Sequence, residues 1–267
     1  MSSRDSSALL AELSDPDRDV RLRAAMTLGE LAEPATAEPL AAHLWEEPDF
    51  FVRDVLTWSL GRLGSAAVPV AREALGREPR VRTQALHVLS KILDPATLDD
   101  IAPLAADSEP AVAAKARFAL GRLGDERALP VLLGLLGDDD AEAQNVLTDV
   151  LASFGAAAVP GLEQALREGS APVRRHAAAA LGYLGDDARP AVDALDGAAG
   201  SDDSALAVSA VMALGSITGP DAAAALERAS ASDDSRVSAV AARLLARSSE
   251  PTRLDALRAA RLARAAG

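Results

Sequence analysis

Apolar residues recur along this chain in a frame thirteen positions long. It is clearest in Val52-Arg53-Asp54-Val55-Leu56-Thr57-Trp58-Ser59-Leu60-Gly61-Arg62-Leu63-Gly64. The frame returns from Val112 to Gly124 and from Val173 to Gly185, and its Leu-Gly pair alone at Leu28-Gly29 and Leu214-Gly215. Weaker copies put Leu89, Leu151 and Leu245 in the same slot, so the slot leucines follow one another at intervals of 29 to 33 residues. With the frame's first valine set at zero and 100° added per residue, positions 0, 4, 8 and 11 cluster within about 80° and define one buried stripe. A lone helix cannot bury such a stripe. A fixed period of about 30 residues therefore predicts stacked units, each covering the apolar face of the next.

Each unit reads as two antiparallel helices, A then B. The first A helix is expected over residues 6–14 and the first B helix from Val20 to Ala32. Later A helices are expected over 40–45, 70–75, 131–136, 162–166 and 191–195. Pro39, Pro69, Pro130, Pro160 and Pro190 fall near A-helix starts, where a missing N–H costs little. Gly64, Gly124, Gly155 and Gly185 follow B helices and read as terminators. Gly61, Gly121 and Gly182 lie inside the helices, where glycine costs roughly 1 kcal/mol, so a neighbouring helix is expected to pack closely there. Acidic residues stand just before the B helices, as in Asp15-Pro16-Asp17, Glu47-Pro48-Asp49, Ser108-Glu109-Pro110, Asp138-Asp139-Asp140, Asp202-Asp203 and Asp233-Asp234. They suit the unpaired N–H groups and the dipole of a helix start. No acidic run has the spacing of an EF-hand loop. The expected fold is all-α: a right-handed α-α superhelix of about eight hairpins over residues 1–248. Residues 249–267 follow as a basic capping helix or tail in which Arg253 to Gly267 carry four arginines and one aspartate.

The Val-Arg-x-x-Ala-x-x-x-Leu-Gly-x-Leu-Gly frame, with an acid six positions before its arginine, resembles the HEAT-like repeats. The similarity is to the short class named after phycobilisome lyases, over roughly residues 6–248. The acid–arginine pairs are Asp15/Arg21, Glu47/Arg53 and Glu168/Arg174, and the resemblance implies that such pairs link neighbouring repeats as a ladder. The pattern is interrupted. Arg82 has Gly76 in the acid slot, Asp107 and Asp138 precede Ala113 and Gln144, and Ser209 and Ser238 take the arginine slot. The resemblance implies a non-enzymatic protein-interaction scaffold. It leaves open a chromophore-lyase-like or other small-ligand-handling enzyme subunit. It also leaves open a HEAT-like DNA glycosylase, to which Trp58 with Asp54 bears a superficial likeness.

Composition narrows this. Aromatics are 3% of a chain that is 49% hydrophobic, so alanine and leucine carry the core and helices must approach closely. The formal net charge of −13 argues against an extended nucleic-acid face, and so against the glycosylase. There is no cysteine, and His43, His87 and His176 lie in different repeats without metal-ligand spacing, so no metal or cofactor is expected. The first residues lack an apolar signal region and no run of about 18 apolar residues exists. A cytoplasmic monomer without a membrane role is the expectation.

The register then shows which side chains face away from the core. Position 6 of the first four B helices carries Met26, Trp58, His87 and Phe118. Position 10 carries Arg62, Lys91 and Arg122 in the second to fourth, and Lys115 stands at position 3 of the fourth. Both lysines of the protein therefore fall in this set. Large apolar groups flanked by cations are what interface hot spots are made of. In a solenoid whose B helices line the concave face, these eight residues form the candidate partner-binding strip, suited to an acidic or amphipathic segment of a protein partner.

Overall fold

The structure is a computed structural model that describes residues 3–249; the basic terminal segment expected over 249–267 falls almost wholly outside the described residues. Among the described residues the chain is all-helical, with sixteen α-helices and no strand. It groups into two compact units, residues 1–135 and 136–267. The first holds α1 (Ser3–Glu12), α2 (Arg18–Leu31), α3 (Ala37–Glu46), α4 (Phe50–Arg62), α5 (Val68–Ala74), α6 (Pro79–Ile92), α7 (Leu98–Ile101), α8 (Pro110–Leu123) and α9 (Leu129–Leu133). The second holds α10 (Ala141–Ala152), α11 (Val159–Glu168), α12 (Ala171–Leu184), α13 (Val192–Ala199), α14 (Ser204–Leu214), α15 (Pro220–Ser230) and α16 (Ser235–Ser249).

In the first unit α2, α4, α6 and α8 are the B helices and pack side by side, while α1, α3, α5 and α7 each pack on their own B helix. The same arrangement holds in the second unit, where α10, α12, α14 and α16 form the B layer and α11, α13 and α15 cover α12, α14 and α16. The apolar stripe explains this. Leu28, Val52, Leu56, Leu60, Val81, Leu89, Val112 and Leu120 are all buried. Side-chain caps secure α2, α4, α10 and α14 as the acidic runs predicted, but Glu109 before α8 makes no cap bond, and Pro110 at the helix start leaves one N–H fewer to satisfy. Asp49 accepts from Phe51 and Val52 N–H, and Asp17, Asp140 and Asp203 make the equivalent bonds. Gly64, Gly124, Gly155 and Gly185 have φ of +57°, +65°, +54° and +57°, the left-handed geometry of a terminator.

The A helices differ from the sequence expectation. Most are entered through a 3-10 turn, such as Pro34–Thr36, Gly64–Ala67 or Gly155–Ala158, and several begin two or three residues earlier than expected. The first runs Ser3–Glu12 rather than 6–14. The fourth is cut to Leu98–Ile101 and tightens into a 3-10 segment at Ala102–Ala106, where Pro103 removes an N–H and blocks the α-helical turn.

The acid–arginine slots link neighbouring repeats, as the ladder implies, with the acid supplied by the following repeat. Arg21 points one N–H at the carbonyl of Asp15, 3.0 Å away in its own turn, and forks the carboxylate of Glu47 in the next repeat at 2.9 and 3.0 Å. Arg82 reaches Asp107 of the following repeat in the same way, at 2.7 Å. Arg53, whose next acid slot is Gly76, donates to the carbonyls of Glu47 and Pro48 and lies over the Phe50 ring at 5.9 Å, with no carboxylate in ion-pair reach among the described residues. A rung thus needs an arginine in one repeat and an acid in the next.

Candidate partner-binding face

The face in question is the solvent side of α2, α4, α6 and α8, all within the first unit. Two close helix approaches shape it. Ser59 on α4 puts its hydroxyl 2.8 Å from the Ala25 carbonyl of α2. At the same crossing Gly29 leaves room for the Trp58 ring: a Cβ on Gly29 would lie 2.5 Å from Trp58 Cζ3. On the next pair, a Cβ on Gly61 would lie 2.9 Å from the Cβ of Lys91. The in-helix glycines are therefore seats for groups of the neighbouring helix, which offsets their helix-propensity cost.

The exposed row stands where the register put it. Met26, Trp58 and Phe118 are 42%, 41% and 42% exposed, and His87 between them is half-buried. Arg62, Lys91 and Arg122 are exposed, and Lys115 is half-buried with its Nζ 5.0 Å from the Phe118 ring centroid, a cation–π geometry. All eight predicted residues lie on this face. Among the described residues no carboxylate is within ion-pair reach of Arg62, Lys91, Lys115 or Arg122. Elsewhere in the unit, Arg21, Arg72, Arg82 and Arg127 each hold a carboxylate. Burial, with the lysine charges beside it, holds His87 below its ordinary range, while Asp54 pulls weakly the other way. Burial and the Lys91 charge likewise hold Lys115 down.

One contributor was not placed on this face by the sequence reading. Phe51, 60% exposed, stands seven residues before Trp58 on α4, hence on nearly the same side of that helix, with Arg18 of α2 over its ring at 6.0 Å. It meets Phe50 edge-on at 5.6 Å between centroids. The i, i+7 spacing was the signal that would have found it. Trp45, five residues before Phe50, is only 5% exposed and belongs to the core.

A depression of about 700 Å³ lies on the other layer, between α3 and α5, floored by Trp45 and Ala74 and rimmed by Glu38, Glu46, Glu73 and Arg77. It lacks the exposed aromatic tips and the unpaired cations of the B-helix face. His176, in the second unit, is buried rather than exposed: its Nδ1 accepts from Gly137 N–H at 3.2 Å and its Nε2 faces Thr148 Oγ1 at 3.0 Å.

The family model for HEAT repeats matches residues 6–90, 68–152 and 159–246. No curated protein matches the chain. Among solved structures, human deoxyhypusine hydroxylase in complex with glycerol is similar at 24% identity over 91% of this chain and 95% of that one, with a TM-score of 0.40. An engineered protein is 22% identical over 91% of this chain and 78% of its own, with a TM-score of 0.41. The CpcE–CpcF complex of phycocyanin lyase from Nostoc sp. PCC7120 is 22% identical over 90% and 94%, also with a TM-score of 0.41.

Proposed function

This chain belongs to the HEAT-repeat family, and from that premise we propose that its first unit is a non-enzymatic interaction platform for an acidic, amphipathic segment of a partner protein. The observation that carries this is the unneutralised cation row, Arg62, Lys91, Lys115 and Arg122, beside half-exposed Met26, Trp58 and Phe118 in a chain of net charge −13. Four cations without an ion pair among the described residues, on one face of a strongly acidic protein, suit a negative charge brought by a partner. The apolar row takes the partner's anchors, as in helix-in-groove recognition. The cations orient the segment and exclude basic competitors.

The test is capture of partners from a lysate on the purified full chain and on Trp58→Ala, followed by affinity measurement with the captured protein. Trp58→Ala weakens binding by roughly 2 kcal/mol or more, as truncated hot-spot tryptophans do. Equal affinity for both proteins would remove this face from recognition. The competing reading, a chromophore-lyase-like or other small-ligand-handling subunit, gains ground if turnover of a substrate is abolished by changes on this same face.

A further inference from the structure

Resting on that reading of the face, we propose that the acidic group it receives is a phosphorylated side chain of the partner, held by His87, Lys91 and Lys115. His87 and Lys91 stand one turn apart on α6, so their side chains are neighbours. Lys115 lies one turn before Phe118 on α8, which packs directly against α6. Two features fix the lysines in place. Lys115 lies across the Phe118 ring, and the stem of Lys91 rests on the bare backbone of Gly61. The cluster joins two half-buried groups, His87 and Lys115, to exposed Lys91.

The electrostatics agree with this geometry. After burial, what depresses Lys115 is Lys91, and what depresses His87 is the two lysines. Among the described residues Asp54 on α4 is the carboxylate that acts on His87, and its influence is the weakest of the four. Lys91 and Lys115 stand on the adjacent helices α6 and α8, where like charges repel and a counter-charge from outside relieves them. A partner carboxylate brings one charge and two oxygens. A phosphomonoester brings about 1.5 to 2 negative charges and three strong acceptor oxygens on one centre. It can bridge both ammonium groups and still accept from the His87 imidazole, while the apolar flank of the phosphorylated residue meets Phe118 and Trp58.

The test is an NMR titration of the ¹⁵N-labelled full chain with two probes, phenyl phosphate and benzoate, at low salt. Phenyl phosphate is expected to shift amides of α6 and α8 saturably and to bind roughly tenfold more tightly than benzoate, because it brings about 1.5 to 2 charges and a third acceptor oxygen where benzoate brings one charge and two. Lys91→Gln with Lys115→Gln removes that advantage, with circular dichroism confirming an unchanged fold. Equal affinity for the two probes overturns the phosphate assignment and leaves the acidic-segment reading intact. Saturable binding that the double substitution does not weaken places the anion elsewhere and overturns it too. If neither probe binds at these helices the assignment falls, and the Trp58→Ala comparison decides the wider reading separately.

Discussion

Of the two glycines that seat groups of the candidate face, Gly29 and Gly61, Gly29 has the closer neighbour. A methyl group there meets Trp58 Cζ3 at 2.5 Å and the Ser59 backbone at 2.9 Å, so neither the ring nor α4 can stay in place. Gly29→Ala is therefore expected to destabilise by about 1–3 kcal/mol, the usual cost of overpacking, and to turn the Trp58 ring outward. Urea unfolding checks the first effect, and Trp58 emission in a Trp45→Phe background checks the second. Gly197 is the contrast. It lies in α13, and a methyl group added there meets nothing within 4 Å, so Gly197→Ala gains helix propensity and should stabilise by up to about 1 kcal/mol. His176 gives a pH prediction. Accepting the Gly137 N–H requires a bare Nδ1, and burial lowers the imidazole below its ordinary value of 6.5, with Gln144 and Asp138 opposing. The unfolded chain then takes up the proton first. Stability is complete above about pH 6.5 and declines as pH falls through the lower folded value. The slope of unfolding free energy between about pH 7 and 5 should be smaller in His176→Gln, though not zero, because His43 and His87 are depressed as well.

Between elements, the polar links divide by burial. The Arg21–Glu47 pair is 14% and 5% exposed, whereas Arg72–Asp100 is 45% and 30% exposed. Removing Arg21 strands a buried carboxylate, so Arg21→Met is expected to cost about 2 kcal/mol or more, whereas Arg72→Met should stay within about 0.5 kcal/mol. Parallel chemical denaturation of the two variants measures the difference, and equal losses would deny the rung its role. These links also show what was legible in the sequence. The B-helix register was, because a stripe of apolar residues repeated many times fixes an angle that any single helix leaves ambiguous; Met26, Trp58 and Phe118 are exposed where that angle places them. The caps and terminal glycines were legible for the same reason. The direction of the ladder was not, since a period gives a spacing but not which neighbour a side chain reaches. The 3-10 entries to the A helices were equally hidden, and so were Ala32 and Leu93 at φ of +48° and +58°. At those positions packing, not local preference, sets the backbone, and leucine gives no hint of a left-handed turn.

At the scale of the whole molecule, 27 basic residues stand against 40 acidic ones, and the same charge that opposes nucleic acid opposes an acidic partner at a distance. At physiological ionic strength the Debye length is about 8 Å, so an approaching segment senses chiefly the nearest charges. Over the B-helix face those are Arg62, Lys91, Lys115 and Arg122, with Asp54 the acid that reaches His87, and among the described residues none of the four cations forms an ion pair. Local attraction and global repulsion therefore have different ranges, and salt weakens the long-range repulsion along with the attraction. Arg122→Glu changes the local charge by two units while leaving Trp58 and the apolar row untouched. The expected outcome is slower association with little change in dissociation, since charges at the edge of an interface act mainly on encounter. The salt dependence must shift too. With the local field weakened, the acidic background counts for more, so added salt should now speed association relative to the parent protein. Stopped-flow association with the captured partner across a salt series reads both quantities. A rate and a salt slope matching the parent protein would take Arg122 out of the encounter surface and break the cation row on which the reading of this face depends.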